Sequence, residues 1–442
     1  MADMIEDTKT IYEIPEIAPQ LGRGPVWLRQ RRADSREAFN AAPLPRRGLH
    51  LWRYTDPAKF LVEPVKTGDT SFGNGYDSVV KLEQKHVDDG RLAGLVVDFG
   101  GREILRYGVT PLLNTGVMVC PLSEAVETRT DLVEQYLYQI VNEATGKFEA
   151  MNGALWNDGI FMYIPDNAVI EKPIHLLREA GLAHSSVYPR TLIIVGRNAQ
   201  ATIIDEYGGG SSDFDDGLSY SNGVVEIFGL EDSNVRYVSV QRHAKATNSY
   251  LTHRAKIGRG AQMLTMSLAF GASLAKHNFG VILNGAGADS RMYGLAFGSA
   301  RQQFDSHTLH HHAHGQTTSN IDFKVVLRDR ATSAYTGLIR IDQHAKTCGA
   351  YQENRNLLLN RGTKADTIPE LEILNEDVTC SHGATVGPID PMEIFYLTSR
   401  GIYRDEAVRM IVSGFTEPTL KMLPIDLQAR ISEFVMDRLE DI

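Results

Sequence analysis

Beyond about residue 150, the chain alternates apolar and polar residues over short segments, and turns rich in glycine, asparagine and aspartate separate these segments. Leu264 and Leu268 occupy even positions of one such segment, whereas Thr265 and Ser267 occupy odd positions. Because alternate residues of a strand share a face, this spacing predicts a strand with Leu268 on its inward, buried face. Hardly any helical periodicity interrupts the alternation for more than two hundred residues, so we predict a mainly β protein.

A longer unit recurs within this region. It consists of an apolar strand, a tight polar turn that carries a small residue, and a second alternating strand. The repeats are VGRNAQATII, FGLEDSNVRYVSV, IGRGAQMLTMSLAF, LNGAGADSRMYGLAF, LRDRATSAYTGLIRI and LNRGTKADTIPELEI. Such recurrence is typical of stacked coils, but sandwiches and barrels also contain many short strands. The pattern alone therefore leaves a parallel β-helix, a sandwich and a barrel open.

The region before residue 150 is mixed. Pro25 precedes the segment VWLRQRRADSREAFNAA, which predicts a helix that ends before Pro43. The segment from Asp131 to Ala144 has apolar residues at helical spacing behind an aspartate that can cap a helix. Between these two helices, VDDGRLAGLVVDFGGREIL predicts two short strands joined by a Gly-Gly turn.

The pattern becomes helical again from Pro391. We predict three helices there, the first ended by Gly401, the second ended by Gly414, and the third carrying an apolar stripe along its length. We accordingly expect an N-terminal mainly helical or mixed region over 1–148, a β core over 149–390 and a C-terminal helical region over 391–442.

Composition limits the class of protein. The chain has 442 residues, 43% hydrophobic and 23% charged, with a formal net charge of −10. This charge argues against a nucleic-acid-binding surface, which needs clustered Lys and Arg. No apolar run approaches the roughly 20 residues that cross a bilayer, and the acidic start resembles neither a secretory nor a transit signal. We expect a cytoplasmic protein that binds neither membranes nor nucleic acid.

Motifs and cysteines exclude further classes. Cys120, Cys348 and Cys380 form no CxxC pair, so a disulfide framework or zinc knuckle is not expected. Three scattered thiols also cannot hold a four-thiolate cluster, so a cluster on this chain would need a partner's ligands. The sequence contains no phosphate-binding GxxxxGK[ST] loop and no GxSxG or HExxH motif. We therefore expect that this chain binds no nucleotide itself, and its motifs support neither a hydrolase nor a metalloprotease.

Histidines concentrate in the segment DSHTLHHHAH, which carries His307, His310, His311, His312 and His314. Five imidazoles in eight positions can bind a transition metal, but packing and hydrogen bonding within a coil account for them as well. We favour the structural interpretation of this run.

A second candidate site lies in the stretch TIPELEILNEDVTCSHGATVGPIDP. Val378, Cys380 and His382 alternate there, which places the thiol and the imidazole on one face with Cα atoms roughly 7 Å apart. Both tips can then reach one metal ion. The alternative is a cysteine that packs as a small apolar residue beside a hydrogen-bonded surface histidine.

The order of residues in this stretch favours a metal site over simple packing of the cysteine. ELEILNEDVTCSHGATVGPID, followed by FYLTSRGI, closely resembles the C-terminal segment of the SufB/SufD family of iron–sulfur cluster assembly proteins. AYQENRNLLLN, LWRYTDP and MNGALWNDGIFMYIPDNAVIEKPIHL resemble other parts of the family in the expected order. The resemblance implies a right-handed parallel β-helix flanked by helical regions, and it decides among the three architectures.

The resemblance also implies a function. The chain is expected to be a non-catalytic scaffold subunit, and Asn354, where SufB-like chains carry a cysteine, favours the SufD branch. Its implied partners are a SufB-like paralogue, as a heterodimer, and a SufC-like ATPase at the C-terminal helices; a homodimer of the isolated chain stays open. The implied cargo is a nascent iron–sulfur cluster at a shared interface, with His382 and secondarily Cys380 as metal ligands. A flavin associated with the complex has no residue assigned to it here. The rival is a β-helix protein that binds or cleaves polysaccharide.

Overall fold

The computed structural model describes residues 13–14, 24–61, 74–100, 103–179, 186–208 and 219–439. Its helices are α1 (Val26–Ala41), α2 (Asn74–Asp88), α3 (Thr110–Leu113), α4 (Leu122–Thr128), α5 (Thr130–Tyr136), α6 (Lys147–Leu155), α7 (Pro391–Thr398), α8 (Arg404–Leu420) and α9 (Ile425–Asp437). Its strands are β1 (Gly94–Phe99), β2 (Ile104–Tyr107), β3 (Met118–Pro121), β4 (Ile160–Ile164), β5 (Ile174–Glu179), β6 (Ser186–Val187), β7 (Arg190–Val195), β8 (Gln200–Gly208), β9 (Ser219–Gly229), β10 (Asn234–Arg242), β11 (Thr247–Ile257), β12 (Gln262–Ala269), β13 (Leu274–Leu283), β14 (Asp289–Gly298), β15 (Gln303–His312), β16 (Thr318–Leu327), β17 (Thr332–Ile341), β18 (Cys348–Leu358), β19 (Lys364–Ile373) and β20 (Val378–Pro388).

The strands stack into a parallel β-solenoid of about 7 turns. From β7 onward, even-numbered strands join one sheet, called sheet A, and odd-numbered strands join the other, called sheet B. Each of these strands pairs in parallel with the strand two elements further along the chain. The prediction of a mainly β fold with a β-helix core and flanking helices is therefore confirmed, and the six sequence repeats lie at its corners.

One corner is built from residues with left-handed backbone conformations. Asn198, Asp232, Gly260 and Gly287 follow one another in successive coils, with φ between 53° and 75°. The backbone N–H of each of the first three donates to the carbonyl just before the next member of the row, over 2.8–2.9 Å. Asn, Asp and Gly tolerate this conformation better than other residues, so their recurrence in the repeats has a direct structural cause.

The central strands of sheet A are buried on both faces, which corrects one prediction. Met263 and Ala269 of β12 line the interior between the sheets. Leu268 instead packs in a cluster with Val412 of α8 and Ile431 of α9. Our placement of Leu268 on the inward face is therefore wrong. The alternation is real, but the face with the larger apolar side chains meets the C-terminal helices.

The C-terminal helices are fastened to sheet A by hydrogen bonds as well as by apolar contacts. Arg438 donates to the carbonyl oxygens of Phe297 and Phe270 over 2.9 and 2.7 Å. The prediction that α8 ends at Gly414 is wrong, because the helix continues to Leu420. A glycine within a helix costs roughly 1 kcal/mol, and burial of the following turn, including Leu420, offsets that cost.

In the N-terminal region, α1 is confirmed, whereas the helix predicted from Asp131 to Ala144 ends at Tyr136. The buried carboxylate of Glu226 accepts the backbone N–H of Tyr138 over 3.0 Å and those of two following residues, which draws this segment out of the helix. Arg129, and not Asp131, is the residue before the helix.

Two strands predicted around the Gly-Gly turn are confirmed as β1 and β2, which pair antiparallel. The second glycine of that turn, at residue 101, lies outside the described residues. Because β1 pairs in parallel with β5, sheet A begins within the region that we assigned to 1–148. The domain boundaries at 148 and 390 stay predictions.

The LWRYTDP segment crosses the outer face of sheet B. The ring of Trp52 stacks on that of Tyr250, with centroids 6.0 Å apart, and Thr55 donates to Asp305 over 2.5 Å. Lys276, fully buried below the segment, donates to the carbonyl of Leu51 over 2.6 Å and pairs with Asp305 at 2.9 Å. This motif therefore ties the N-terminal region to three consecutive coils.

Candidate functional site: the open end of the solenoid

Both sheets end side by side at the C-terminal end of the solenoid. Sheet A ends on β20 and sheet B ends on β19, and each of these strands has one paired neighbour in its sheet. The outer edges of both strands therefore present unpaired backbone groups. Large apolar side chains are exposed around this end, namely Tyr351 (41%), Ile373 (38%), Leu374 (50%) and Val386 (43%).

Cys380 and His382 both lie on β20, the edge strand of sheet A. Cys380 is opposite Ala350 of β18, and His382 is opposite Gln352. Ala350 and Gln352 are buried, so the face that Cys380 and His382 share is the inward face of the last coil. The structure thus brings the two predicted ligands together on one face, as their spacing predicts.

The two side chains differ in accessibility. Cys380 is half-buried and packs against a cluster that contains Cys348, and burial raises the pKa of the Cys380 thiol. It is therefore a neutral thiol at neutral pH. The His382 side chain is exposed and makes no hydrogen bond or ion pair with any residue that the structure describes. Asp377, five residues before His382, accepts a hydrogen bond from the Thr347 hydroxyl over 3.4 Å.

Three buried amide side chains beneath His382 were not predicted from the sequence. Gln352, Asn354 and Asn356 all point inward from β18 and are buried. The Gln352 amide crosses the interior and donates to the carbonyls of Gly337 and Glu370 over 3.1 and 3.3 Å, which ties sheet A to sheet B. The signal was present as alternating amides in the segment QENRN. Amides at a period of two on an otherwise apolar inward face indicate internal hydrogen bonding.

The histidine run is held in place by neighbouring side chains. The rings of His310 and His312 point inward and contact the hydroxyls of Ser290 and Ser319 at 3.0 and 2.9 Å. Burial lowers the pKa of His310 to about 3 and that of His312 to about 4, so both rings are neutral. His307 lies on the other face, 2.7 Å from Asp305. These contacts support the structural interpretation of the run.

Three further observations concern the described residues as a whole. Within the described ranges, no three His, Cys, Asp or Glu side chains are arranged to hold a metal ion. None of the described helices combines the length and the apolar character that crossing a lipid bilayer requires. All three cysteines are free.

Comparison with known proteins bears on this end of the solenoid. The family model for the SUF system FeS cluster assembly, SufBD core domain, matches residues 177–415, which include the open edge strands and both candidate ligands. The chain belongs to the SufBD family of iron–sulfur cluster assembly proteins. The model of the SufBD protein N-terminal region matches residues 106–176. The resemblance seen in the sequence is thereby confirmed.

Relatives of the same family match almost the full chain. Iron–sulfur cluster assembly SufBD family proteins of Staphylococcus saprophyticus, Staphylococcus aureus and Staphylococcus epidermidis are each 26% identical to it over 421 residues. The match covers 94% of this chain and 90% of each relative. A role in iron–sulfur cluster assembly follows from this membership, and it decides against the polysaccharide alternative.

Proposed function

We propose that this chain is a SufD-like, non-catalytic scaffold subunit that pairs with a SufB-like paralogue and a SufC-like ATPase to build and transfer iron–sulfur clusters. The observation that carries this proposal is the open end of the solenoid, where two unpaired strand edges lie beside the exposed His382 imidazole. Nucleotide binding is assigned to the ATPase partner, and no residue of this chain is assigned to a flavin.

A partner bound at this end would cover strand edges that are otherwise open to further strand addition. Two adjacent strand edges, with exposed apolar side chains beside them, invite further strand addition unless a specific partner covers them. A paralogue with the same solenoid architecture covers both edges at once, because it continues both sheets. In the absence of the paralogue, a second copy of this chain covers the same end as a homodimer.

The cluster is the cargo of this interface. The His382 imidazole offers a nitrogen ligand without a competing hydrogen bond among the described residues. Cys380 offers a thiolate only after losing a proton that its burial helps to retain. We therefore rank His382 above Cys380, and the partner chain supplies the remaining ligands of the shared cluster.

The SufD-like assignment rests on Asn354. Its side chain is 1% exposed and donates to the carbonyl of Phe323 over 2.9 Å, so it acts as a structural amide within the last coils. A SufB-like chain carries a cysteine in the corresponding coil. Without a thiol there, this chain is the supporting partner and not the principal acceptor of sulfur.

The ATPase is assigned to the outer surface of the C-terminal helices. Apolar side chains on α7 and α8 are exposed there, including Met392 (66%), Phe395 (64%), Tyr396 (56%) and Met410 (47%). Deleting these helices is a poor test, because α8 and α9 cover an apolar face of sheet A. A surface substitution, Phe395→Asp, should instead abolish copurification of the ATPase, whereas Val26→Asp, at an equally exposed position on α1, should not.

The experiment that tests the proposal is coexpression of this chain with the paralogue and the ATPase, followed by purification and hydrogen exchange. Protection over residues 348–388 should rise when the paralogue binds, because the edge strands become paired. The purified complex should contain iron and acid-labile sulfide. Protection confined to the N-terminal region, or a complex that never contains iron and sulfide, would refute it.

A further inference from the structure

A buried charge network joins the N-terminal and C-terminal regions on the outer side of sheet A. His175 of β5 lies between two carboxylates, with Nδ1 3.0 Å from Glu83 of α2 and Nε2 3.2 Å from Glu206 of β8. Arg430 of α9 binds both carboxylates, and Arg242 of β10 also pairs with Glu206. Helices that are far apart in sequence therefore meet through one imidazole and one guanidinium.

The geometry indicates the charge of the His175 ring. A neutral imidazole has one N–H and one lone pair, so one of its nitrogens would direct a lone pair at a carboxylate oxygen. Only the imidazolium places a proton on the side of each carboxylate. The Nε2 contact with Glu206 is an ion pair by distance rather than an aligned hydrogen bond.

The electrostatic balance agrees with this assignment. Burial by itself would lower the pKa of His175, but Glu206 and Glu83 outweigh burial and raise it. The pKa of Glu83 is lowered to about 2, since the cationic neighbours His175 and Arg430 overcome the opposing effect of its own burial. The pKa of Glu206 is lowered as well, for the same kind of reason.

Solvent reaches one side of the network. Glu83, His175 and Arg430 all line a pocket of ≈ 320 Å³ between α2 and α9. Protons can therefore exchange with water at this site even though His175 is only 1% exposed. The charged groups around His175 are Glu83 of α2, Glu206 of β8, Arg242 of β10 and Arg430 of α9, and the titratable His86 of α2 contacts Glu83.

We infer that Glu83, His175, Glu206 and Arg430 form a proton-dependent latch that holds α2 and α9 against sheet A. Loss of the His175 proton removes one of the two carboxylate contacts and loosens α2, so Arg430 of α9 loses a fixed partner in Glu83. The latch thereby regulates how firmly the C-terminal helices are presented to a partner. That regulatory consequence rests on the proposed ATPase docking, whereas the latch itself is a property of the isolated chain.

The sign of the pH dependence follows from linkage. The His175 pKa is raised in the folded chain, so its stabilising effect is complete below the unfolded value of about 6.5. The effect is lost as the pH rises through the raised pKa. The latch is therefore closed below about pH 6.5 and opens in the alkaline direction.

Hydrogen exchange and NMR on the isolated chain test this inference. In H175Q, α2 should exchange about tenfold faster than in the wild type at pH 6, because the charge-assisted contact with Glu83 is lost. As the pH rises through the raised His175 pKa, wild-type exchange in α2, corrected for intrinsic rates, should approach that of H175Q. H310Q, which replaces an equally buried but neutral histidine, is the matched control and should leave α2 unchanged.

A second variant keeps the test decisive if H175Q does not fold. Arg430 is partly exposed, so R430Q should fold and release α9 while α2 stays protected. Ring-labelled histidine spectra of the wild type, recorded over a pH series, should show His175 titrating above the ordinary value of about 6.5. A His175 ring that titrates below that value, or α9 exchange in R430Q equal to that in the wild type, would overturn the latch. Both measurements omit the ATPase and the cluster, so their outcome is independent of the proposed function.

Discussion

Arg190 and Glu226 form an ion pair of 2.7 Å in which both side chains are completely buried. The same carboxylate accepts the backbone N–H of Tyr138 and so ends the helical segment before it. One buried charge pair therefore joins β7 and β9 of the solenoid to the N-terminal region.

The substitution Glu226→Gln should destabilise the fold by about 3–5 kcal/mol, because it leaves the Arg190 guanidinium buried without its counter-charge. Denaturant unfolding of the purified chain measures this loss. Glu417→Gln, which breaks an exposed pair with Lys421, is the control and should cost less than about 1 kcal/mol. Equal costs for the two variants would contradict the assigned role of the buried pair.

The substitution Leu268→Ala should cost about 2–5 kcal/mol by opening a cavity between sheet A and the C-terminal helices. Because the side chain contacts α8 and α9 rather than the interior, hydrogen exchange should increase first in those helices. Leu374→Ala, at a half-exposed position, should change stability by less than about 0.5 kcal/mol. Exchange that increases in sheet B before α9 would place Leu268 inside after all.

The substitution His253→Phe should make the fold less sensitive to acid. The His253 ring is completely buried between Tyr237 and Phe279, and burial lowers its pKa to about 3. Below about pH 6.5 the unfolded chain binds a proton at this position that the folded chain does not. The free energy of unfolding therefore decreases as the pH is lowered. Between pH 7.5 and 5, the variant should therefore lose about 2 kcal/mol less stability than the wild type.

Denaturant midpoints at the two pH values check this result. His344→Phe, at an exposed position, is the control and should retain the wild-type dependence. A pH dependence of His253→Phe identical to that of the wild type would show that the buried ring is already charged.

The sequence predicts the local geometry of the solenoid well, because turn chemistry and alternation are local. Asn198 and Gly260 are residue types that favour the left-handed conformation found at the corners. The alternation around Cys380 and His382 places these two side chains on one face of β20. What it does not predict is which face of a strand is the interior. Leu268 appears inward by apolarity, yet only the position of α8, far away in sequence, determines that it faces outward.

Contacts between charged groups far apart in the sequence cannot be predicted from local patterns, for the same reason. Nothing near Asp131 indicates that a carboxylate almost a hundred residues later captures the following backbone amides and ends the helix at Tyr136. Likewise, Glu83, His175 and Arg430 are unremarkable at their separate positions, and only the fold brings them into one network.

The substitution Gln352→Leu should loosen the last coil without removing a proposed ligand. Its amide makes two hydrogen bonds from sheet A to carbonyls of sheet B, and their loss should cost about 1–3 kcal/mol. Faster hydrogen exchange in β19 and β20 than in β11 is the expected signature. Uniform exchange along the solenoid would contradict the tie between the two sheets. Thr379→Ala, on the exposed face of β20, is the control.

We propose that His382 holds the nascent cluster at the interface with the paralogue. The most direct measurement is the iron and sulfide content of the purified complex that carries His382→Ala, with His344→Ala as the control for loss of an exposed histidine. The His382→Ala complex should stay intact but lack iron and sulfide, whereas the His344→Ala complex should contain both. A complex that falls apart would favour a packing role for His382, and an intact His382→Ala complex with its full iron and sulfide would contradict ligation.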